Sequence, residues 1–183
     1  MEDKEDIELY KNFLKGNNKA FDEIMLKHRK KIIAFINKYV RNSETAEDLA
    51  QDTFVYVLMN RKEYDFKYSL KTYLYTIAKC RACNYIRDQK RIIKFDENYV
   101  KDVEDFTQID DDLIRNENKL RVSEALQKLK PEYQSVIFLK DIEEFSYKEI
   151  CKILNKNMSQ VKVLIHRARK SLEKVLRKEG VGC

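Results

Sequence analysis

Apolar residues recur along this chain at three- and four-residue intervals, broken by short polar stretches, and they lay out a series of amphipathic helices. From 18 to 40 the recurring positions are Phe21, Ile24, Met25, Ile32, Phe35, Ile36 and Tyr39, with His28 to Lys31 as a charged interruption. Asn42 and Ser43 then supply a turn and an N-cap candidate. In SETAEDLAQDTFVYVLMN, residues Ala46, Leu49, Ala50, Thr53, Val57 and Leu58 share one face, while Glu47, Asp48, Gln51 and Asp52 fall mainly on the other. A loop, RKEYDFKY, occupies 61–68. Ser69 caps the helix after it, whose stripe is Leu70, Tyr73, Leu74, Ile77 and Ala78.

The pattern resumes at Val122, Ala125, Leu126 and Leu129, and Pro131 suits the first turn of a further helix, PEYQSVIFLKDI. Ser146 can cap a short helix with Tyr147, Ile150, Cys151 and Leu154 on one face. Asn155, Lys156 and Asn157 interrupt it, and Asn tolerates the left-handed conformation that ends a helix. Ser159 can cap the last helix, with Val161, Leu164, Ile165, Ala168 and Leu172 inside. Two helices joined by about four residues, the second basic outside, form the helix-turn-helix arrangement that seats a recognition helix in the major groove. Gln160, Lys162, Val163, His166 and Arg167 face outward, where they can reach base edges. An ordinary helical hairpin with a solvated basic face has the same spacing.

Composition narrows the fold class. Three Gly and one Pro in 183 residues are too few for the turns of an all-β chain, so an all-α fold is expected, and the acidic stretch between the two basic ones divides it into two small helical domains. The net charge of +6 permits a polyanionic partner, and its distribution is uneven. Lys79–Lys94 carries six basic residues and one acid, and Met158–Lys178 carries seven and one. Between them, Asp96–Asp112 carries eight acids and one base, which reads as an acidic, flexible linker. The charged N-terminus holds no signal-like apolar run, and no stretch approaches a membrane span, so no membrane insertion is expected. A cytoplasmic protein with reduced cysteines follows. Cys80 and Cys83 have C-x-x-C spacing, but no second pair or His motif completes a zinc site, and a βαβ redox setting is lacking. No metal, cofactor or catalytic constellation is expected, and the chain reads as a non-enzyme.

The run EYQSVIFLKDIEEFSYKEICKILNKNMSQVKVLIHRARKSL at 132–172 resembles the fourth conserved region of extracytoplasmic-function sigma factors. The runs AEDLAQDTFVYVLMN (46–60) and LKTYLYTIAKCRACNYIRDQKR (70–91) resemble their second region. The resemblance implies a region 2 domain over 1–94, a linker over 95–117 and a region 4 helix-turn-helix domain over 118–183. It implies binding to core RNA polymerase at its clamp and flap, and to promoter DNA at the −10 and −35 elements. Carried onto matching positions, Asp48, Gln51 and Asp52 would dock the clamp. Tyr64, Phe66 and Tyr68 would hold a flipped −10 base, with at least one of the three packing into the core instead. Lys79, Arg81, Asn84, Arg87, Lys90 and Arg91 would follow the DNA backbone. Ser159, Gln160, Lys162, Val163, His166, Arg167, Arg169 and Lys170 would meet the −35 duplex.

The chain departs from the family pattern in three places. It has no Trp, and Tyr73 stands near the usual one; Val163 and Leu164 replace a common Ser-Arg pair; Asn155 replaces a frequent Gly. An anti-sigma factor is a further implied partner. The rival reading is a free-standing helix-turn-helix regulator, which leaves the first 94 residues without a role.

Overall fold

The computed structural model describes residues 2–95 and 117–178, and every regular element among them is helical. The expected acidic linker lies almost wholly outside the described residues. Residues 2–95 build one compact unit and most of 117–178 builds a second.

In the first unit, α1 (Glu2–Leu14), α2 (Asn18–Val40), α3 (Ser43–Met59) and α4 (Leu70–Phe95) pack with α2 touching all three others. The apolar pattern assigns no helix before Asn18, yet α1 sinks Tyr10 and Phe13 completely into the core. Two buried aromatics contribute roughly 1.5–3 kcal/mol each, enough to hold a short charged helix in place. A third buried position on α1 is Asp6, and a carboxylate there hides the period from a hydrophobicity count.

The same carboxylate explains a correction on α2. His28 is no interruption of the stripe; it is 4% exposed and continues the buried series Phe21, Ile24, His28, Ile32, Phe35. Its Nε2 lies 2.8 Å from Asp6 Oδ2, so the imidazole enters the core with its polar atom satisfied.

Caps fix where the elements begin. Asn42, and not Ser43, is the N-cap of α3, its Oδ1 accepting the Thr45 N–H at 2.8 Å. Ser69 caps α4 as the sequence suggests, accepting the Thr72 N–H at 3.2 Å. On α3 the buried residues are Ala46, Ala50, Thr53, Phe54 and Val57; Leu58, expected inside, is exposed, and Phe54 takes the core place. On α4, Tyr75 is fully buried while Tyr73 and Ile77 are half-buried.

The second unit comprises α5 (Glu117–Gln127), α6 (Pro131–Ile137), α7 (Tyr147–Leu154) and α8 (Met158–Lys178). Pro131 occupies the first turn of α6 as expected. That helix passes into a π-helical segment, Phe138–Ile142, which buries Phe138 and Leu139. The α6 and α5 faces pack on α8.

Candidate nucleic-acid interface

The turn between α7 and α8 is closed from both sides. Ser146 and Glu149 form a reciprocal box at the start of α7: the Glu149 carboxylate accepts the Ser146 N–H at 2.9 Å, and Ser146 Oγ accepts the Glu149 N–H at 3.3 Å. At the other end Asn155 adopts φ 52, and the Lys156 N–H reaches back to the Cys151 carbonyl at 3.1 Å. That bond is the closing contact of a Schellman turn, with Asn in the left-handed place where Gly is more usual. The cap of α8 is Asn157, not Ser159. Its Oδ1 accepts the Gln160 N–H at 2.8 Å, while Gln160 Oε1 accepts the Asn157 N–H at 3.0 Å. Ser159 is exposed in the first turn, with its hydroxyl not needed for the cap.

Beyond the turn, α8 sets one face on its core. Val161, Leu164, Ile165 and Ala168 are buried, and Ser159, Gln160, Lys162, Val163, His166, Arg167, Arg169 and Lys170 are exposed. At 100° per residue, Ser159, Val163, His166 and Lys170 form the central outward row. Lys162 and Arg169 flank it on one side, and Gln160 and Arg167 on the other. Two of the eight are already engaged: Gln160 in the cap, and Arg169 with the Asp141 carboxylate of the π segment through its Nε and Nη2. Of the Val163–Leu164 pair only Val163 faces out, 44% exposed, because Leu164 belongs to the core.

In the first unit, the loop 61–68 is built around stacked rings. Tyr64 is 4% exposed, stacks on Tyr73 at 5.2 Å between centroids, and donates its hydroxyl to the Tyr68 carbonyl at 2.7 Å. Its ring is therefore a wall of the loop and offers no face to a base in this conformation. Phe66 is 38% exposed and holds φ 57, a left-handed conformation costing a non-Gly residue roughly 1–2 kcal/mol. Asp65 supports that bend by accepting the Lys67 N–H at 3.0 Å. Tyr68 is half-buried. Burial, then Tyr56 and Glu63 nearby, push the Tyr73 hydroxyl up to about 12, so it stays protonated behind the loop.

The basic end of α4 continues from this loop. Asn84, Arg87, Lys90 and Arg91 are exposed, and Asn84, Arg87 and Arg91 share the face opposite the core. Lys79 and Arg81 are half-buried, and the Arg81 guanidinium sits over the Tyr56 ring at 5.1 Å. Cys80 is exposed and Cys83 half-buried on this continuous helix, with burial pushing the Cys83 thiol up. Among the described residues no three His, Cys, Asp or Glu side chains gather as a metal-binding group.

On α3 the polar face carries Asp48, Gln51 and Asp52, all exposed. The same face continues into Val55, Leu58 and Met59, which are 47%, 43% and 77% exposed. Sequence periodicity misses these three as surface residues, although Asp48, Asp52, Val55 and Met59 follow one another at helical spacing. The exposed side of α3 thus passes from an acidic half-row into an apolar half-row.

Comparison with known proteins accounts for both units. The sigma-70 region 2 family matches residues 24–92, and the sigma-70 region 4 family matches 119–172. The chain is 33% identical over 164 residues to RNA polymerase sigma factor YlaC of Bacillus subtilis, covering 87% of this chain and 93% of that one. It is 32% identical over 176 residues to the extracytoplasmic-function RNA polymerase sigma factor SigW of the same organism, covering 91% and 94%. Among solved structures it resembles the sigma factor RpoE of Bartonella quintana, in complex with the anti-sigma factor NepR, with TM-score 0.74 and 22% identity over 87% of this chain and 98% of that one. CnrH, in complex with the cytosolic domain of CnrY, gives TM-score 0.67 and 21% identity over 95% and 98%. These structural likenesses speak for the fold; the sequence relatives, spanning nearly the whole chain with both regions in order, speak for descent. The chain belongs to the sigma-70 family of RNA polymerase sigma factors, in its extracytoplasmic-function branch.

Proposed function

We propose that this sigma factor binds core RNA polymerase through the α3 face of Asp48, Gln51, Asp52, Val55 and Met59, and selects promoters with two separate DNA-contacting surfaces. The observation that carries this reading is the joint presence of a rigidly capped helix-turn-helix and an exposed half-acidic, half-apolar helix on one chain. Phe66 and Tyr68 on loop 61–68 take the −10 base, with stacking worth roughly 1–3 kcal/mol per base against an ejection cost of similar size. Asn84, Arg87, Lys90 and Arg91 hold the adjoining backbone, and Lys79 and Arg81 flank it. The α8 row, led by Val163, His166 and Lys170, reads the −35 duplex, and Lys162 and Arg167 meet phosphates. Arg169 acts chiefly through Asp141. Residues 1–94 thus serve as the polymerase and −10 domain, 95–117 as the tether, and 118–183 as the −35 domain.

The site of action is the cytoplasm. Among the described residues no helix is long and apolar enough to cross a membrane. An anti-sigma factor is the expected regulator, in line with the solved structure of RpoE, which is held by the anti-sigma factor NepR. Run-off transcription with purified core polymerase on genomic fragments tests the whole reading. New start sites should appear only with the protein present. A chain that bound duplex DNA tightly alone, and left start sites unchanged, would be a free-standing regulator. Affinity purification from cells should recover a protein beyond the polymerase subunits; recovery of those subunits only would remove the anti-sigma partner.

A further inference from the structure

We propose that Tyr10 of α1 is a positioning residue that sets the shape of loop 61–68, and through it the discrimination among −10 bases; this rests on the reading of that loop given above. Several contacts converge on the loop from α1. The Tyr10 hydroxyl donates to the Arg61 carbonyl at 2.9 Å, which anchors the backbone where the loop begins. The Arg61 guanidinium lies over the Phe13 ring at 5.9 Å, so the same residue is gripped at its side chain. The Tyr10 ring meets Tyr64 edge-on at 4.9 Å and Phe66 at 6.0 Å, bracing the middle of the loop.

Tyr10 is fully buried, so it cannot touch DNA and must act through what it holds. What it holds is under strain: Phe66 keeps a left-handed backbone that persists only when its surroundings impose it. Tyr64, fixed to the Tyr68 carbonyl, and Tyr10 supply two neighbouring walls. A core position needing only bulk would be filled by Phe or Leu. A buried hydroxyl is retained at no loss only because the Arg61 carbonyl accepts it. Tyr10 also precedes residues 24–92, so this brace comes from outside the segment matched as region 2.

The test uses the full chain with core polymerase, in run-off transcription on a cognate promoter and on derivatives substituted at each −10 position. Tyr10→Phe keeps the ring and removes the hydroxyl, and Tyr10→Leu removes both. Tyr10→Phe should lower the ratio of cognate to substituted −10 transcription about fivefold, the worth of one hydrogen bond, and Tyr10→Leu should lower it further. Holoenzyme affinity, −35 dependence and helical content should match the parent protein. An unchanged ratio in Tyr10→Phe overturns the proposal, as does a loss of equal size on every template, which would mark Tyr10 as scaffold only. Phe66→Ala separates the two levels. If it lowers −10 discrimination while Tyr10→Phe does not, the loop reading stands and Tyr10 has no part in it. If Phe66→Ala leaves discrimination intact, the loop reading itself falls and the proposal falls with it.

Discussion

Replacing Asp6 with Asn removes one negative charge from the place where α1 is pinned to α2. Asp6 Oδ2 lies 2.8 Å from His28 Nε2 and Oδ1 lies 2.7 Å from Lys27 Nζ, with the carboxylate side chain 3% exposed. Burial alone would raise its pKa, but the hydrogen bonds from His28 and Lys27 outweigh that and hold it below the usual carboxylate value. An amide can accept from one of those donors and must turn its NH2 toward the other. Lys27 loses little, because it is partly exposed and keeps Glu5 at 2.8 Å. The loss falls on the buried His28 side, where a charge-assisted bond is worth about 2 kcal/mol. For a domain of this size that lowers Tm by roughly 8–16 °C. Eight of the eleven tyrosines lie before residue 96, so tyrosine near-UV dichroism during thermal melting of the full chain follows this unit. The pH dependence has a definite sign. A depressed carboxylate pKa contributes stability above its unfolded value of 3.8 and loses it as pH falls through the folded one. The gap between parent and Asp6→Asn should therefore persist from neutral pH down to that value and close below it. A gap under about 0.5 kcal/mol at neutral pH, or one that does not narrow on acidification, would refute the assignment of the stabilisation to this pair.

Three other perturbations check the remaining surfaces. Asn157→Ala should cost the second unit about 1 kcal/mol in denaturant unfolding, while Ser159→Ala leaves the midpoint in place, because only Asn157 closes the first turn of α8. Lys162→Ala should weaken holoenzyme binding to −35 duplexes evenly across sequences and reduce the salt slope by about one, whereas Arg169→Ala, already committed to Asp141, should move the slope less. Met59→Asp should leave the melting curve unchanged, since the side chain is 77% exposed, yet weaken core-polymerase binding at least ~10-fold in a titration with labelled core enzyme.

Most helices were legible because their apolar periods are regular and their starts carry Asn, Ser or Pro. Ser69, Pro131 and Ser146 sit where the pattern places them. The open choice between Asn42 and Ser43 and the misplaced cap at Ser159 for Asn157 share one cause. Two cap-forming residues stand within two positions of each other, and composition does not choose between their backbone angles. What the apolar period could not reveal was α1 and the core role of His28. Each hides behind the other: Asp6 looks like surface unless His28 is known to be buried, and His28 looks like surface unless Asp6 is known to face it. A buried polar pair is visible only as a pair.

The candidate interfaces were legible in proportion to how far each side chain's chemistry excludes burial. Lys162, Arg167, Arg87 and Arg91 are outside because a lone cation gains nothing inside, so the sequence alone suffices for them. Aromatic and aliphatic residues carry no such mark. Tyr64, Phe66 and Tyr68 are alike on paper, yet one is a buried wall, one an exposed strained ring and one half-covered. Leu58 and Phe54 trade places on α3 for the same reason: both satisfy an apolar period, and only the shape of the packed neighbours decides which enters. Val55 and Met59 go further, because they lie on the polar side of the α3 period and the packed neighbours leave both in water. A hydropathy pattern says which way a residue points; whether anything is there to meet it depends on the partner, and under the function proposed above that partner at the exposed end of α3 is the polymerase.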